Sequence, residues 1–242
     1  MLSILVRGAR QLGIELGTHQ LDLFDRYYRL LKAASPRVSL TAVTGYEAVQ
    51  QRHFLESLAL LPALREVDLL APGGRERVLD LGAGAGLPGL PLKIAVPELS
   101  LTLLEATARK AAFLREAVEE LALGQVEVLT GRAEDLARQA ERREAYDLVV
   151  ARAVAPLPTL LELALPFVRI GGALAAPKGS GAPQEASRSE RALGLLGGRL
   201  LSVAPLAVPG AKHPPRLVLV RKVTPTPETY PRRSGIPDKR PL

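Results

Sequence analysis

Asp80, Gly82, Gly84 and Gly86 have the residue types and the spacing of a turn that binds a nucleotide-like cofactor. They belong to the run DLGAGAG, which lies between a short apolar segment typical of a buried strand and a segment with helical character. Glycine allows backbone angles and a close ligand approach that a Cβ atom would block. The same kind of turn can also exist only for tight packing of a strand against a helix.

A second candidate is the carboxylate of Glu105, which lies about twenty residues after the turn, at the end of the next predicted strand. A carboxylate at this position can accept hydrogen bonds from ribose hydroxyls. Because residues 84–89 also spell GxGxxG, the pattern alone fits both a dinucleotide and S-adenosylmethionine. Asp80 favours S-adenosylmethionine, since a carboxylate attracts amino and sulfonium groups but repels a pyrophosphate.

The alternative enzyme is an NAD-type dehydrogenase. Such an enzyme needs a proton donor beside the hydride acceptor, and no histidine or lysine in the sequence is evidently placed for that role. The three histidines, His19, His53 and His213, show no metal-ligand spacing, and the chain contains no cysteine. Disulfides, thiolate metal sites and cysteine nucleophiles are therefore excluded, and we expect no metal.

The balance of charge points to a polyanionic partner. The 242 residues carry a formal net charge of +7, and only four Phe and five Tyr are present, with no Trp. A basic field attracts nucleic acid, but so few aromatic side chains disfavour recognition by base stacking. We therefore expect arginine and lysine to make any contact with RNA, either in an enzyme or in a non-catalytic RNA-binding protein.

The sequence contains no stretch of eighteen apolar residues and no export signal in residues 1–10. We therefore expect a cytoplasmic protein without a membrane partner.

The elements that must position the candidate residues begin with a helical cap over residues 1–72. Leu21, Phe24, Tyr28 and Leu31 recur at helical steps, and Ser35-Pro36 is predicted to end that helix. Thr44 and Glu47 form a capping box for a second helix. Its apolar series, Phe54, Leu58 and Leu61, is predicted to end at Pro62.

Pro72-Gly73-Gly74 interrupts the helical pattern. After it, strand-like and helix-like segments alternate through residues 73–223. This alternation predicts an α/β fold with a doubly wound, mostly parallel twisted sheet. The predicted segments are the strands 78–81, 101–104, 126–129 and 147–150 and the helices 110–121, 133–140 and 159–168. Two further strands, 200–203 and 216–220, have no helix between them and should pair antiparallel. Residues 224–242 form a basic, polar tail.

Seven short motifs occur along the chain in an order that resembles the bacterial 16S rRNA guanine-N7 methyltransferases of the RsmG/GidB family. They are residues 39–42 (SLTA), 52–58 (RHFLESL), 79–89 (LDLGAGAGLPG), 131–134 (GRAE), 152–157 (RAVAPL), 178–179 (KG) and 230–237 (YPRRSGIP). The resemblance spans nearly the whole chain. It departs from the usual family pattern at Ser39, Glu105 and Ala151, where Asn, Asp and Ser are common.

The resemblance implies a class I, Rossmann-like methyltransferase fold with S-adenosylmethionine as the cofactor. It implies that Gly82 and Leu87 border the methionine part, that Glu105, Ala106 and Thr107 surround the ribose, and that Ala133 and Glu134 flank the adenine. Arg152 follows the fourth predicted strand, where ligands bind in open sheets, and should bridge the cofactor and the RNA. The remaining RNA contacts are expected from Arg132, Lys178, Arg232 and Arg233, with the tail becoming ordered on binding.

The substrate that the resemblance implies is 16S rRNA or a small ribosomal subunit particle, with a guanine in a decoding-region loop as the target. No catalytic acid or base is expected, because guanine N7 carries a free lone pair at neutral pH. The protein is expected to act as a monomer.

Overall fold

The structure is a computed structural model that describes residues 2–71 and 73–242. Met1 and Pro72, which begin the predicted cap and mark its boundary, lie outside the described residues. The strands are β1 (Arg77–Leu81), β2 (Ser100–Glu105), β3 (Val126–Thr130), β4 (Tyr146–Val150), β5 (Val168–Lys178), β6 (Gly198–Pro205) and β7 (Arg216–Lys222).

The seven strands form one sheet in the order β3-β2-β1-β4-β5-β7-β6. The first five strands in this order are parallel, and β7 pairs antiparallel with both β5 and β6. The sheet order reverses between β1 and β4, which is the position where open α/β sheets form a binding crevice. The predicted parallel sheet with an antiparallel C-terminal pair is thus confirmed.

Helices surround the sheet and build the cap. They are α1 (Ser3–Gln11), α2 (Thr18–Val38), α3 (Tyr46–Val49), a π-helical segment (Gln50–Leu55), α4 (Glu56–Leu58), α5 (Leu60–Glu66), α6 (Gly89–Ala95), α7 (Ala108–Glu120), α8 (Ala133–Leu136), α9 (Leu157–Ala164), α10 (Ala182–Ser187), α11 (Glu190–Leu196) and α12 (Ile236–Lys239). None of the described helices combines the length and the apolar content that crossing a bilayer requires.

Two apolar clusters cover the two faces of the sheet, because successive side chains of a strand point to opposite sides. Val78 of β1 belongs to the cluster that contains Phe24 and Phe54 of the cap. Leu79 belongs to the other cluster, together with Leu160 of α9. The cap therefore shares an apolar core with the sheet.

Proline placement in the cap differs from the prediction. Helix α2 runs through Pro36 to Val38 and ends at Ser39, which has a φ of 53°. A proline so close to the C-terminus of a helix removes a single backbone donor. Pro62 lies in the first turn of α5, where its missing N–H has no helical partner to lose, so this helix continues to Glu66.

The predicted Thr44 capping box is also wrong, since Gly45 is the N-cap residue of α3 and no side chain caps it. The apolar face of α2 also differs from the prediction, which placed Tyr28 on it. The helix buries Tyr27 fully, whereas Tyr28 is only half-buried.

The segment predicted as a single helix over residues 159–168 contains a boundary. Helix α9 ends at Ala164, and Val168 begins the long strand β5, which the sequence analysis missed. Both elements are apolar, so hydrophobicity does not mark the change between them. The Gly171-Gly172 pair and the alanines of β5 also lack the β-branched side chains typical of strands. Helix α8 is also shorter than predicted and ends at Leu136.

Candidate functional site

The glycine turn follows β1 at the reversal point of the sheet. Gly82, Gly84 and Gly86 have φ angles of 69°, 56° and 89°, which lie in the left-handed region that favours glycine. A Cβ atom on Gly82 would lie 2.8 Å from Cγ2 of Val154, on the loop after β4. The turn and this loop therefore approach each other more closely than any side chain at position 82 would allow.

Glu105 at the end of β2 holds the turn from the side. Its Oε2 accepts a hydrogen bond from the Gly84 N–H at 2.9 Å, and its Oε1 accepts one from the Thr107 N–H at 2.7 Å. Each carboxylate oxygen has a second lone pair, so these bonds leave Glu105 able to accept hydrogen bonds from a ligand.

Asp80, on β1, is hydrogen-bonded to the residue that follows the glycine turn. Its side chain is fully buried, its Oδ2 accepts the Gly89 N–H at 2.7 Å, and its Oδ1 has no hydrogen-bond partner among the described residues. Burial raises the pKa of Asp80 to about 7, although the Gly89 N–H and the positive charge of Arg152 oppose the shift. Asp80 thus joins β1 to the first turn of α6.

A cavity of about 140 Å³ opens between the turn and the ends of β2, β3 and β4. It brings together five residues predicted to bind the cofactor, namely Gly82, Glu105, Ala106, Ala133 and Glu134. It also includes Arg132, which was predicted to contact RNA. The sequence analysis did not single out its remaining lining residues: Leu81, Leu104, Gly131, Val154, Ala155, Leu163 and Asp238. Gly131, Val154 and Ala155 stand in motifs that carried the family resemblance, whereas nothing in the sequence pointed to Asp238.

Glu134, in the first turn of α8, is the most buried acid of this cavity, with a relative exposure of 2%. Its Oε1 accepts hydrogen bonds from Nη2 of Arg132 at 3.0 Å and from the Gly235 N–H at 2.9 Å. Its Oε2 is buried and has no partner among the described residues. Burial raises the pKa of Glu134, but hydrogen bonding and the positive charge of Arg132 together outweigh burial and hold the pKa below its ordinary value.

The loop between β4 and α9 separates this cavity from a second cleft. Val154 lines the first cavity, Arg152 lines the second cleft, and Ala153 between them has a φ of 57°. The guanidinium of Arg152 donates to the carbonyl oxygen of Arg52 at 3.1 Å and to Oε1 of Glu56 at 3.4 Å. Arg152 was predicted to contact both cofactor and RNA, and the structure places it in the second cleft only.

The second cleft, which we also call the basic cleft, has a volume of about 800 Å³. It lies between the cap, the end of β5 and the loop before β7. Its basic side chains are Arg52, Arg152, Lys178, Lys212 and His213, and its acidic ones are Glu56 and Glu185. Lys178 is mostly buried, and its Nζ contacts Oε2 of Glu185 at 2.8 Å and the carbonyl oxygen of Ala155 at 2.7 Å. Positive charge thus predominates beside the β4–α9 loop.

His53 packs behind Arg152, with its Nε2 2.8 Å from Oγ1 of Thr41. Burial and the neighbouring charge of Arg152 lower the pKa of His53 to about 4, so the ring is neutral at pH 7. This histidine is a packed residue of the cap.

The C-terminal tail, which was predicted to become ordered on binding RNA, makes contacts of its own with α9. Arg232, predicted to contact RNA, instead pairs with the buried carboxylate of Glu162 on α9 through Nε at 2.8 Å and Nη2 at 2.5 Å. Glu162 would otherwise be an unpaired buried charge, which explains why it captures this arginine. Arg233, the other predicted RNA contact of the tail, is exposed.

The chain matches a family of known proteins over most of its length. Residues 20–213 match the family model GidB, described as rRNA small subunit methyltransferase G. Proteins named ribosomal RNA small subunit methyltransferase G from Dehalococcoides mccartyi strain BAV1 and Roseiflexus sp. strain RS-1 are each 46% identical to the chain, over 238 and 241 residues. These alignments cover 98% of both chains in the first case and 100% of both in the second.

Solved structures share the fold at low sequence identity. A mutant of MtNAS in complex with S-adenosylmethionine superimposes with a TM-score of 0.55 and 18% identity, covering 85% of this chain and 76% of that one. TrmN from Thermus thermophilus gives a TM-score of 0.50 and 22% identity, covering 72% of this chain and 53% of the other.

Proposed function

This chain belongs to the GidB family of rRNA small subunit methyltransferases, and we propose that it transfers a methyl group from S-adenosylmethionine to N7 of a guanine in 16S rRNA. The observation that carries the proposal is the pairing of two sites across one loop. A cavity lined by the glycine turn, Glu105 and Glu134 lies on one side of the β4–α9 loop, and a basic cleft lies on the other.

The residues of the first cavity suit S-adenosylmethionine. Gly82 lines the cavity together with Glu105, and the unpartnered Oε2 of Glu134 suits an amino group. Gly82, Gly84, Gly86 and Leu87 would border the methionine part, with Asp80 supporting the turn. Glu105, Ala106 and Thr107 would surround the ribose, and Ala133 and Glu134 would flank the adenine. The bound cofactor supplies a methyl group already activated by positive sulfur.

For methyl transfer to N7, the protein only has to position the methyl donor and the acceptor nitrogen. The nitrogen has a free lone pair, so no side chain needs to remove a proton, and His53 is in any case bonded to Thr41. Holding donor and acceptor in line can contribute about 7–11 kcal/mol to lowering the barrier. Arg152, fixed by Arg52 and Glu56, is the residue that would orient the incoming nucleotide at the mouth of the second cleft.

The RNA would meet the basic cleft through Arg152 and Lys178 and the neighbouring surface through Arg132 and Arg233. The groove of an A-form helix that exposes N7 is too deep and narrow for side chains, so the target is a guanine in a loop or a flipped base. The protein would act as a monomer in the cytoplasm, on naked 16S rRNA or on a small-subunit particle.

The experiment that tests this function uses S-adenosylmethionine with a radiolabelled methyl group and unmodified 16S rRNA or small-subunit particles. Nuclease digestion and mass spectrometry should recover the label in 7-methylguanosine at one position. Label at another atom would overturn the N7 assignment, and RNA binding without label would favour a non-catalytic assembly protein. Thermal stabilisation by NAD, but not by S-adenosylhomocysteine, would favour the dehydrogenase alternative.

A further inference from the structure

Residues 230–240, which we call the C-terminal strap, are tied to the protein at several points. Arg232 donates to Glu162 from its backbone N–H at 2.8 Å as well as from its guanidinium, and its Nη2 also donates to the carbonyl oxygen of Arg240 at 2.7 Å. Farther along the strap, Oγ1 of Thr159 donates to the carbonyl oxygen of Pro237 at 3.1 Å. Both anchors lie on α9, so the strap has a defined path across this helix.

Between these anchors the strap reaches the first cavity. The Gly235 N–H donates to Oε1 of Glu134, and Oγ of Ser234 accepts a hydrogen bond from Nε of Arg132 at 3.1 Å. Asp238 lines the cavity itself. The strap therefore contributes a wall of the cavity and one of the two donors that hold the Glu134 carboxylate.

The two oxygens of Glu134 are in different situations as a result. Oε1 has two donors, whereas Oε2 is buried and accepts no hydrogen bond from the described residues. A buried carboxylate oxygen without a partner is costly, so a ligand that brings a donor to this point is stabilised by pairing with it. Two donors on Oε1 also fix the carboxylate plane, which keeps Oε2 from rotating away.

We propose that the C-terminal strap is a positioning element for the cofactor: its Arg232–Glu162 anchor places the Gly235 N–H so that Glu134 presents Oε2 to the 6-amino group of the adenine. This inference rests on the proposed function, because it assigns the adenine end of S-adenosylmethionine to the first cavity. Arg232 acts through Glu134 and does not touch the ligand.

The test compares two probes by isothermal titration calorimetry. S-adenosylhomocysteine carries the 6-amino donor, whereas S-inosylhomocysteine carries an oxygen acceptor at the same position and should bind the wild type at least about tenfold more weakly. In the Arg232→Ala variant, the Kd for S-adenosylhomocysteine should rise about tenfold and the preference over S-inosylhomocysteine should shrink. In methylation assays the KM for S-adenosylmethionine should rise by more than kcat falls.

The matched control is Lys239→Ala, which removes the same charge from an exposed position of the strap and should leave both Kd values unchanged. Equal behaviour of the two variants, or an unchanged preference in Arg232→Ala, would overturn the inference. If the circular dichroism spectrum shows that Arg232→Ala does not fold, Thr159→Val decides, because it removes only the bond to Pro237. A reduced preference in that variant supports the strap, and an unchanged one overturns it.

The two proposals fail in different ways. If the wild type neither binds S-adenosylhomocysteine nor transfers a methyl group, the proposed function is wrong. If the wild type does both and the variants keep its preference for the 6-amino probe, only the role of the strap is wrong.

Discussion

At the scale of single residues, the site depends on groups that are chemically plain but tightly placed. Gly82 matters for the Cβ that it lacks, since its φ of 69° and the neighbouring Val154 leave no room for a side chain. Asp80 matters because it is a carboxylate without contact to solvent, directly below the turn. Neither residue takes part in a bond-breaking step. Both maintain the backbone conformation that the turn needs to bind the cofactor.

The variant Gly82→Ala should bind the cofactor more weakly than the wild type. The added methyl group would lie 2.8 Å from Cγ2 of Val154, and a left-handed backbone costs a non-glycine residue about 1–2 kcal/mol. The Kd for S-adenosylhomocysteine, measured by calorimetry, should rise at least about tenfold. Gly124→Ala is the matched control, because nothing lies within 4 Å of the added Cβ. Similar affinities for the two variants would contradict this account of the turn.

The variant Asp80→Asn should change how stability depends on pH. The pKa of Asp80 is about 7 in the folded protein and close to 3.8 when unfolded, so Asp80 destabilises the fold progressively as pH rises from about 4 to 7. Asparagine keeps an oxygen for the Gly89 N–H but does not ionise. Relative to wild type, Asp80→Asn should therefore gain up to about 4 kcal/mol of unfolding free energy between pH 4 and pH 8.

Urea unfolding of Asp80→Asn and wild type at pH 4 and pH 8 measures this difference. Asp22→Asn provides the control, since the Asp22 side chain is 63% exposed. A constant difference between Asp80→Asn and wild type at both pH values would show that the Asp80 carboxyl is not buried as the structure has it.

At the scale of elements, the β4–α9 loop divides the site into two compartments. The left-handed conformation of Ala153 lets Arg152 line the basic cleft while Val154 lines the cavity beside Gly82. Strained non-glycine residues are found where surrounding structure fixes a functional conformation. The loop begins at the end of the central strand β4 and ends at α9, so the sheet holds one of its ends and this helix holds the other.

The variant Ala153→Gly should stabilise the protein, because it relieves the left-handed strain at this position. The gain should be about 0.5–1 kcal/mol, since the greater freedom of glycine in the unfolded chain offsets part of the relief. Ala155→Gly in the same loop has no positive φ to relieve and should destabilise by about 0.5–1 kcal/mol. Urea unfolding of the two variants should give shifts of opposite sign. Destabilisation by both would indicate that Ala153 carries no strain.

At the scale of the whole molecule, the net charge of +7 combines with a basic cleft beside the turn. A general positive field speeds encounter with any polyanion, whereas charges in the cleft act only on RNA that enters it. The cap contributes Arg52 to this cleft and shares its core with the sheet, so the cleft depends on both parts of the chain.

Binding of 16S rRNA should weaken steeply as the salt concentration rises, because RNA releases counterions from each phosphate that a basic side chain neutralises. In the variant Lys212→Gln, the slope of log K against log salt should decrease by about 0.7 if the contacted RNA is single-stranded. Lys32→Gln is the control, an exposed lysine of α2 that does not line the cleft. Filter binding at several salt concentrations measures the slopes. Equal slopes for the two variants would place the RNA elsewhere.

The sequence by itself determined most of the strands and helices and the strand ends at which the functional residues lie. Alternating strand-like and helix-like segments predicted the parallel sheet, and the carboxyl ends of parallel strands meet at one edge, so Gly82 and Glu105 could be assigned to one place. Only the family resemblance added Glu134 to that place. Local patterns suffice for this because strand and helix periodicities are properties of short segments. They failed where two apolar elements adjoin, at the boundary between α9 and β5.

Only the tertiary structure decided which side chains became partners. The carboxylate of Glu134 accepts a hydrogen bond from the Gly235 N–H, 101 positions away in the sequence. Arg232, which was expected to contact RNA, pairs with Glu162, 70 positions away. The path of the C-terminal strap over α9 sets both pairs, and no local pattern encodes that path. The separation of Arg152 from the first cavity likewise depends on the backbone angle of Ala153, which neighbouring packing imposes.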